Sequence, residues 1–280
     1  MARTVHLILT DLAGKPAPES PWLDGPLVRE QRYTADIGDG LRINFDVWTP
    51  VVGPSRVDLV FHNDTARNKV IDTRTYNVAV TLAGAPVFSA GPINHYAHST
   101  WHKLIFTDGQ TPPRMVPDLK LLIDTGAVPR YAPVQPDPHA MDKLHDNALS
   151  DTALLSQAGL TTYMPTTGGR DDIGPLPAWA VFYLLDPSQE NHQTLFANAD
   201  AAGSVPWHVW DATTRGPISI DAHPDVWLDG RGKAAPGVMD RKFYVTDTNW
   251  EPDDAHQPSL TYLPYLLTGS QYYRDELAMQ

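Results

Sequence analysis

The apolar residues of this 280-residue chain change their period once, and that change limits the fold more than any other feature. Over the first 135 residues they alternate. VHLILTDL comes first, LRINFDVWTP sets Leu41, Ile43, Phe45 and Val47 on one face, and RVDLVFHND, TRTYNVAVTLAG and APVFSAG follow. Runs of period two separated by Gly, Pro and Asp turns read as half-buried strands. INHYAHSTWHKLIFTDG and MVPDLKLLIDTGAVP extend the series, and no helical period interrupts it. From Pro177 the period is helical: Leu176, Trp179, Ala180, Tyr183 and Leu184 fall at helix spacing, with Pro177 suited to a first turn. Ser188 caps QENHQTLFANAD, closed by Gly203; Thr268 and Gly269 stop PSLTYLPYLL, and Ser270 opens the last helix. The expected class is α+β: an antiparallel β-sandwich over 1–135, a connector over 136–176 and a helical-hairpin region with long loops over 177–280.

The helical part repeats itself. YLLDPSQENHQ and YLLTGSQYYRD both read as helix, tight turn, Ser-Gln and a second helix. Each pair is an αα-hairpin, and hairpins that bury their apolar faces against neighbours build α/α solenoids or toroids. Two hairpins make an incomplete one. The expectation is either a fragment of a longer enzyme or a shortened relative kept for binding or assembly.

Composition removes several classes of function. The formal charge is −12, from 33 acidic and 21 basic residues without a basic run, so the surface repels nucleic acid and anionic membranes. With no cysteine there are no disulfides, thiolate metal sites or Cys nucleophile. No apolar run is long enough to span a bilayer, and the first residues lack the pattern of a signal peptide. The chain as given reads as soluble, with its compartment open. Hydrophobic residues at 42% supply a packed interior, while 26 prolines and 19 glycines point to many turns.

Four stretches could carry chemistry. HYAHSTWH, read as one strand, puts His98 and His102 on one face with Tyr96, and His95 on the other with Trp101. A third ligand from another strand would complete a divalent-metal site; the alternative is a packed aromatic face. GSVPWHVWD brings Trp207, His208, Trp210 and Asp211 together, the inventory of a sugar cleft or of a loop pinned by two tryptophans. NWEPDDAHQ gathers Trp250, Glu251, Asp253, Asp254, His256 and Gln257, where the two aspartates also suit helix capping. TYMPTTGGRDDIG holds Tyr163 as a phenolic acid or base and Arg170 in a glycine-rich loop. The main expectation is no cofactor and no metal; acidic loops leave weak calcium binding as a minor alternative. Motifs of P-loop, dinucleotide, nucleophile-elbow and zincin sites are absent.

Taken together, VAVTLAGAPVFSAGPINHYAHSTWHKLIF, IDTGAVPRY, TGGRDDIGPLPAWA, ADAAGSVPWHVWD, ISIDAHPDVWLD and AHQPSLTYLPYLLTGSQYYRDELA resemble bacterial and phage proteins related to exo-acting rhamnogalacturonan lyases and similar polysaccharide lyases. The resemblance runs from about residue 77 to the C-terminus. It implies an N-terminal β-sandwich followed by an α/α toroid and a glycan-cleaving activity. A Tyr or His would take the proton beside a uronate carboxylate, and an Arg would offset the enolate charge. On matching phrases, the implied catalytic residues are His208, His256, Tyr163 and Arg170, with base and acid unassigned among them. Trp207, Trp210, Asp211, Trp250 and Gln257 are the implied substrate contacts, and a polysaccharide or oligosaccharide is the implied partner. The competing expectation is a non-catalytic structural or glycan-binding protein, such as a virion, tail or adhesin component, assembled as a homo-oligomer or within a larger complex.

Overall fold

The computed structural model describes residues 2–9, 21–65, 72–110, 114–166, 168–223, 248–253 and 255–280. It is an α+β structure with antiparallel sheets, and it divides into two compact units. The first comprises 1–112 with a returning segment, 209–216; the second comprises 113–208 and 217–280. Among the described residues, no helix is long and apolar enough to cross a membrane.

The first unit holds strands β1 (Arg3–Ile8), β2 (Leu23–Asp24), β3 (Val28–Gly38), β4 (Leu41–Pro50), β5 (Arg56–Asn63), β6 (Arg74–Leu82), β7 (Ala85–His95) and β8 (Ser99–Phe106). They form a five-stranded sheet, β2-β3-β4-β5-β8, and a three-stranded sheet, β1-β6-β7. Neighbours pair antiparallel except β1, which runs parallel to β6 with Val5 opposite Val78 and Leu7 opposite Val80. The antiparallel expectation is corrected there: β1 is joined to β6 by no hairpin, so nothing local fixes its direction.

Alternation decides which side is apolar. Leu41, Ile43, Phe45, Val57, Leu59, Phe61, Trp101 and Ile105 are buried on one side of the larger sheet, and Val5, Leu7, Tyr76, Val78, Val80 and Ile93 are buried in the smaller one. Phe61 lies flat on its cross-strand neighbour Trp101 at 4.0 Å and also stacks with Tyr76 of the other sheet at 6.3 Å. Polar groups inside this core are paired in sequence. Trp101 Nε1 donates to the Tyr76 hydroxyl (2.9 Å), Tyr76 Oη lies 2.9 Å from His95 Nδ1, and His95 Nε2 lies 2.9 Å from the Ser99 carbonyl. A carbonyl only accepts, so His95 carries its proton on Nε2 and accepts a hydrogen bond from the Tyr76 hydroxyl at Nδ1. Burial raises the Tyr76 phenol far above its usual range, keeping it neutral in this role.

HYAHSTWH is therefore not one strand. His95 ends β7, His98 sits in the turn at φ +60°, and His102 belongs to β8. The positive φ breaks the alternation that put His98 and His102 on one face. His102 Nδ1 instead meets Asp58 at 2.9 Å, while His95 and Trp101, on different strands, both bond to the Tyr76 hydroxyl in the core.

The opposite face of the larger sheet is polar yet largely buried. Arg32 grips Asp46 across β3 and β4 (2.6 and 2.7 Å), and Arg42 grips Asp64 (2.9 Å). Asp64 also meets His62 Nδ1 at 3.1 Å. The returning segment closes on this network: Trp210 N–H donates to the Asp64 carbonyl (2.8 Å), and the Arg42 guanidinium lies 4.2 Å above the Trp210 ring. One glycine is required by close approach. Gly91 has φ +137°, and a Cβ there would meet Asn77 Cα at 2.8 Å beside the irregular register of β6 and β7.

The second unit is helical: α1 (Leu119–Asp124), α2 (Pro138–Leu149), α3 (Ala178–Leu185), α4 (Gln189–Asp200), α5 (Tyr262–Thr268) and α6 (Gln271–Met279). Helix α1 corrects the all-strand reading of 1–135. Asp118 caps it through the Leu121 amide (2.9 Å), which turns the short apolar run into a helix. Pro177 begins α3 and the Ser188 side chain caps α4, as their sequence signals require. α4 ends at Asp200, followed by a 3₁₀ turn, Ala201–Ser204, that contains Gly203. Gly269, at φ +64°, ends α5.

His62 makes the first unit acid-sensitive. Burial, then the Arg42 guanidinium, push its imidazole down to about 4 from 6.5, against the pull of Asp64. A folded-state value below the unfolded one means that the unfolded chain binds the proton more tightly. The contribution is whole above pH 6.5 and is lost as pH falls toward 4. Thermal melts between those values should show a loss of roughly 3 kcal/mol that His62→Gln flattens.

Candidate functional site

Two distant segments of the helical unit, TTYMPTTGGRDD and NWEPDDAHQ, are joined by backbone pairing. Glu251 N–H donates to the Thr162 carbonyl (2.8 Å), and Met164 N–H donates to the Glu251 carbonyl (3.0 Å), a parallel bridge between Tyr163 and Glu251. Buried Met164 and buried Trp250 flank this pairing on the two segments. The alternation that buries Met164 leaves Tyr163 49% exposed.

Beyond Glu251 the chain turns so that Asp253 is buried and hydrogen-bonded to His256 Nδ1. The Asp253 side chain has 0% exposure and that of His256 28%. The capping alternative for Asp253 is thereby replaced: α5 starts only at Tyr262, and the aspartate serves the histidine. Asp254 lies outside the described residues. Gln257 is half-buried next to this pair.

Arg170 closes the first of the two segments on itself. Its Nε and Nη2 grip Asp172 in a bidentate pair (2.8 and 2.7 Å), and Nη1 donates to the carbonyls of Met164 and Thr166. Both side chains of the pair are nearly sealed, at 4% and 3% exposure. Asp171 next to it takes the first amide of α3, Ala178 N–H, at 2.7 Å. The guanidinium that was to offset an enolate thus holds the glycine-rich loop in shape.

The GSVPWHVWD residues are distributed differently from the expectation. His208 is fully buried, and its Nε2 meets Glu276 of α6 at 2.7 Å. Trp207 is buried beside it, and Trp250 is buried too, so neither presents a ring face for a sugar to stack on. Trp210 and Asp211 belong to the first unit. There Trp210 lies under Arg42, and Asp211 accepts the Thr213 amide (2.8 Å) to cap a turn. Of the four catalytic candidates, Tyr163 and His256 are accessible and stand on the paired segments.

No protein-family model, no curated protein and no solved structure matches the chain.

Among the described residues, no group of three or more His, Asp or Glu side chains converges to hold a metal ion. Two partnerships are not evident in the sequence. Asp253 stands there in one stretch with His256, and helix capping is its other reading. Glu276 carries a weak signal, since it falls one helical turn beyond Tyr272 and Tyr273 on the buried face of α6.

A buried ion pair broken on one side leaves a stranded polar group. His208→Ala is therefore expected to cost about 3 kcal/mol in a denaturation experiment, through loss of the buried contact to Glu276. Glu276→Gln, which can still hydrogen-bond His208, is expected to cost less.

Proposed function

We propose that this chain is a glycan-active protein of the polysaccharide-lyase kind, working by acid–base chemistry at Tyr163 and His256. In this reading the two sheets form the β-sandwich and the two hairpins form part of the α/α toroid of the lyases that the sequence resembles. One observation carries it. The Tyr163–Glu251 bridge joins the segments that bear the accessible phenol and the accessible imidazole, and a buried carboxylate orients the latter. A phenol and an imidazole are the two side chains best suited to move a proton from carbon to oxygen at neutral pH. The acidic chain, at −12, favours a substrate whose uronates are spaced out by neutral sugars over a dense polyanion.

A second reading, a non-catalytic glycan-binding or structural protein that self-associates, is favoured by an exposed apolar cluster. Leu27, Val51 and Val52 are 77%, 71% and 88% exposed, and Val51 N–H donates to the Leu27 carbonyl (2.9 Å). One assay separates the two readings. Incubation with pectic, alginate and glycosaminoglycan polymers is expected to give the ultraviolet absorbance of an unsaturated uronate with one of them. Tyr163→Phe and His256→Ala should each lower that rate by about 10²–10⁴-fold. Binding of the polymer with no unsaturated product would favour the second reading, and a wild-type rate kept in both variants would refute this site.

A further inference from the structure

We infer that His256 is the general base of this site through an unprotonated Nε2, and that Asp253 is the positioning residue that fixes this tautomer. The inference rests on the glycan-active reading above and deepens it. The Asp253 carboxylate, with no exposed side-chain surface, only accepts hydrogen bonds, so the His256 nitrogen it meets, Nδ1, carries the proton. In the neutral ring the other nitrogen is then a lone pair. The ring is held through Nδ1 and its side chain is 28% exposed, and in this inference the Nε2 lone pair is the atom that meets the substrate.

The carboxylate is itself a fixed point. Asp253 follows by two residues Glu251, whose amide and carbonyl are both bonded to the Thr162–Met164 segment, and by three residues the buried Trp250. A histidine set this way takes a proton without first choosing a tautomer or a rotamer. His208 offers the contrast: the same imidazole–carboxylate pairing, sealed at 0% and 3% exposure, can serve only structure.

The step that follows is balanced within these residues. The C–H proton beside the uronate carboxylate passes to Nε2, and its electron pair forms the new carbon–carbon double bond. The C–O bond to the leaving sugar breaks, and that oxygen takes a proton from the Tyr163 hydroxyl, which as a phenol is donor as well as acceptor. Proton exchange with water resets both groups.

Two readouts on Asp253→Asn test the assignment. An amide at this position can donate to Nδ1 and so favours the opposite tautomer, with the proton on Nε2. The expected kinetic effect is a fall in kcat of about 10²–10⁴-fold with KM changed by less than about twofold. Nitrogen-15 spectra of the imidazoles should place the His256 proton on Nδ1 in the wild type and on Nε2 in the variant. A wild-type Nε2–H tautomer, or an unchanged kcat in the variant, would overturn the inference. If the variant does not fold, the wild-type spectrum alone still decides the tautomer. Absence of cleavage by wild-type protein removes the base role together with the reading beneath it, whereas an Nδ1–H spectrum would leave the hold of Asp253 on the ring intact.

Discussion

Two backbone hydrogen bonds at Glu251, one given to Thr162 and one accepted from Met164, join the two segments of the candidate site. Neither bond is strong by itself, since a typical one contributes about 1 kcal/mol net. Their effect is positional. They fix the strand-like alternation on both segments, so Met164 turns inward and Tyr163 outward, and they anchor the chain two residues before Asp253. Arg170 then stiffens the first segment by binding Asp172 and two of its carbonyls, and Asp253 stiffens the second by holding His256. The Arg170–Asp172 pair is also nearly continuous with the start of α3, so the site segment and the first hairpin share a support.

The two units handle buried charge in the same way but for different ends. In the first, arginines bind aspartates across the polar face of the sheet, and Trp210 returns from far along the chain to cover Arg42. In the second, His208 and Glu276 tie the last helix to the loop that precedes Val209. Each carboxylate faces an arginine or an imidazole, which is the condition under which its burial is tolerable. The pair at His256 differs because its imidazole stays partly open to solvent. That difference makes His256, rather than His208, the candidate for chemistry.

What could be read from the sequence was what local pattern decides. The strands from Leu41 to Leu82, the Ser188 cap and the Gly269 stop follow from alternation and capping, and they stand where these signals put them. Three features escaped for identifiable reasons. α1 begins at the Asp118 cap, in a run that reads equally as strand. The turn inside HYAHSTWH requires a positive φ at His98, which alternation cannot reveal. The long-range partners were out of reach altogether: a motif such as GSVPWHVWD looks open until Glu276 seals its histidine and Arg42 claims its second tryptophan. At the candidate site the sequence named both stretches but not their pairing, nor which of their polar groups face inward.

The proposal requires His256 to be an accessible histidine that meets the substrate and His208 to be a sealed one. Carbethoxylation followed residue by residue with mass spectrometry measures this directly, in the free protein and with uronate oligosaccharides present. The account predicts fast modification of His256, none of His208 in the folded protein, and slowing at His256 when the oligosaccharide is bound. Modification of His256 that proceeds at the same rate with every uronate oligosaccharide would contradict it.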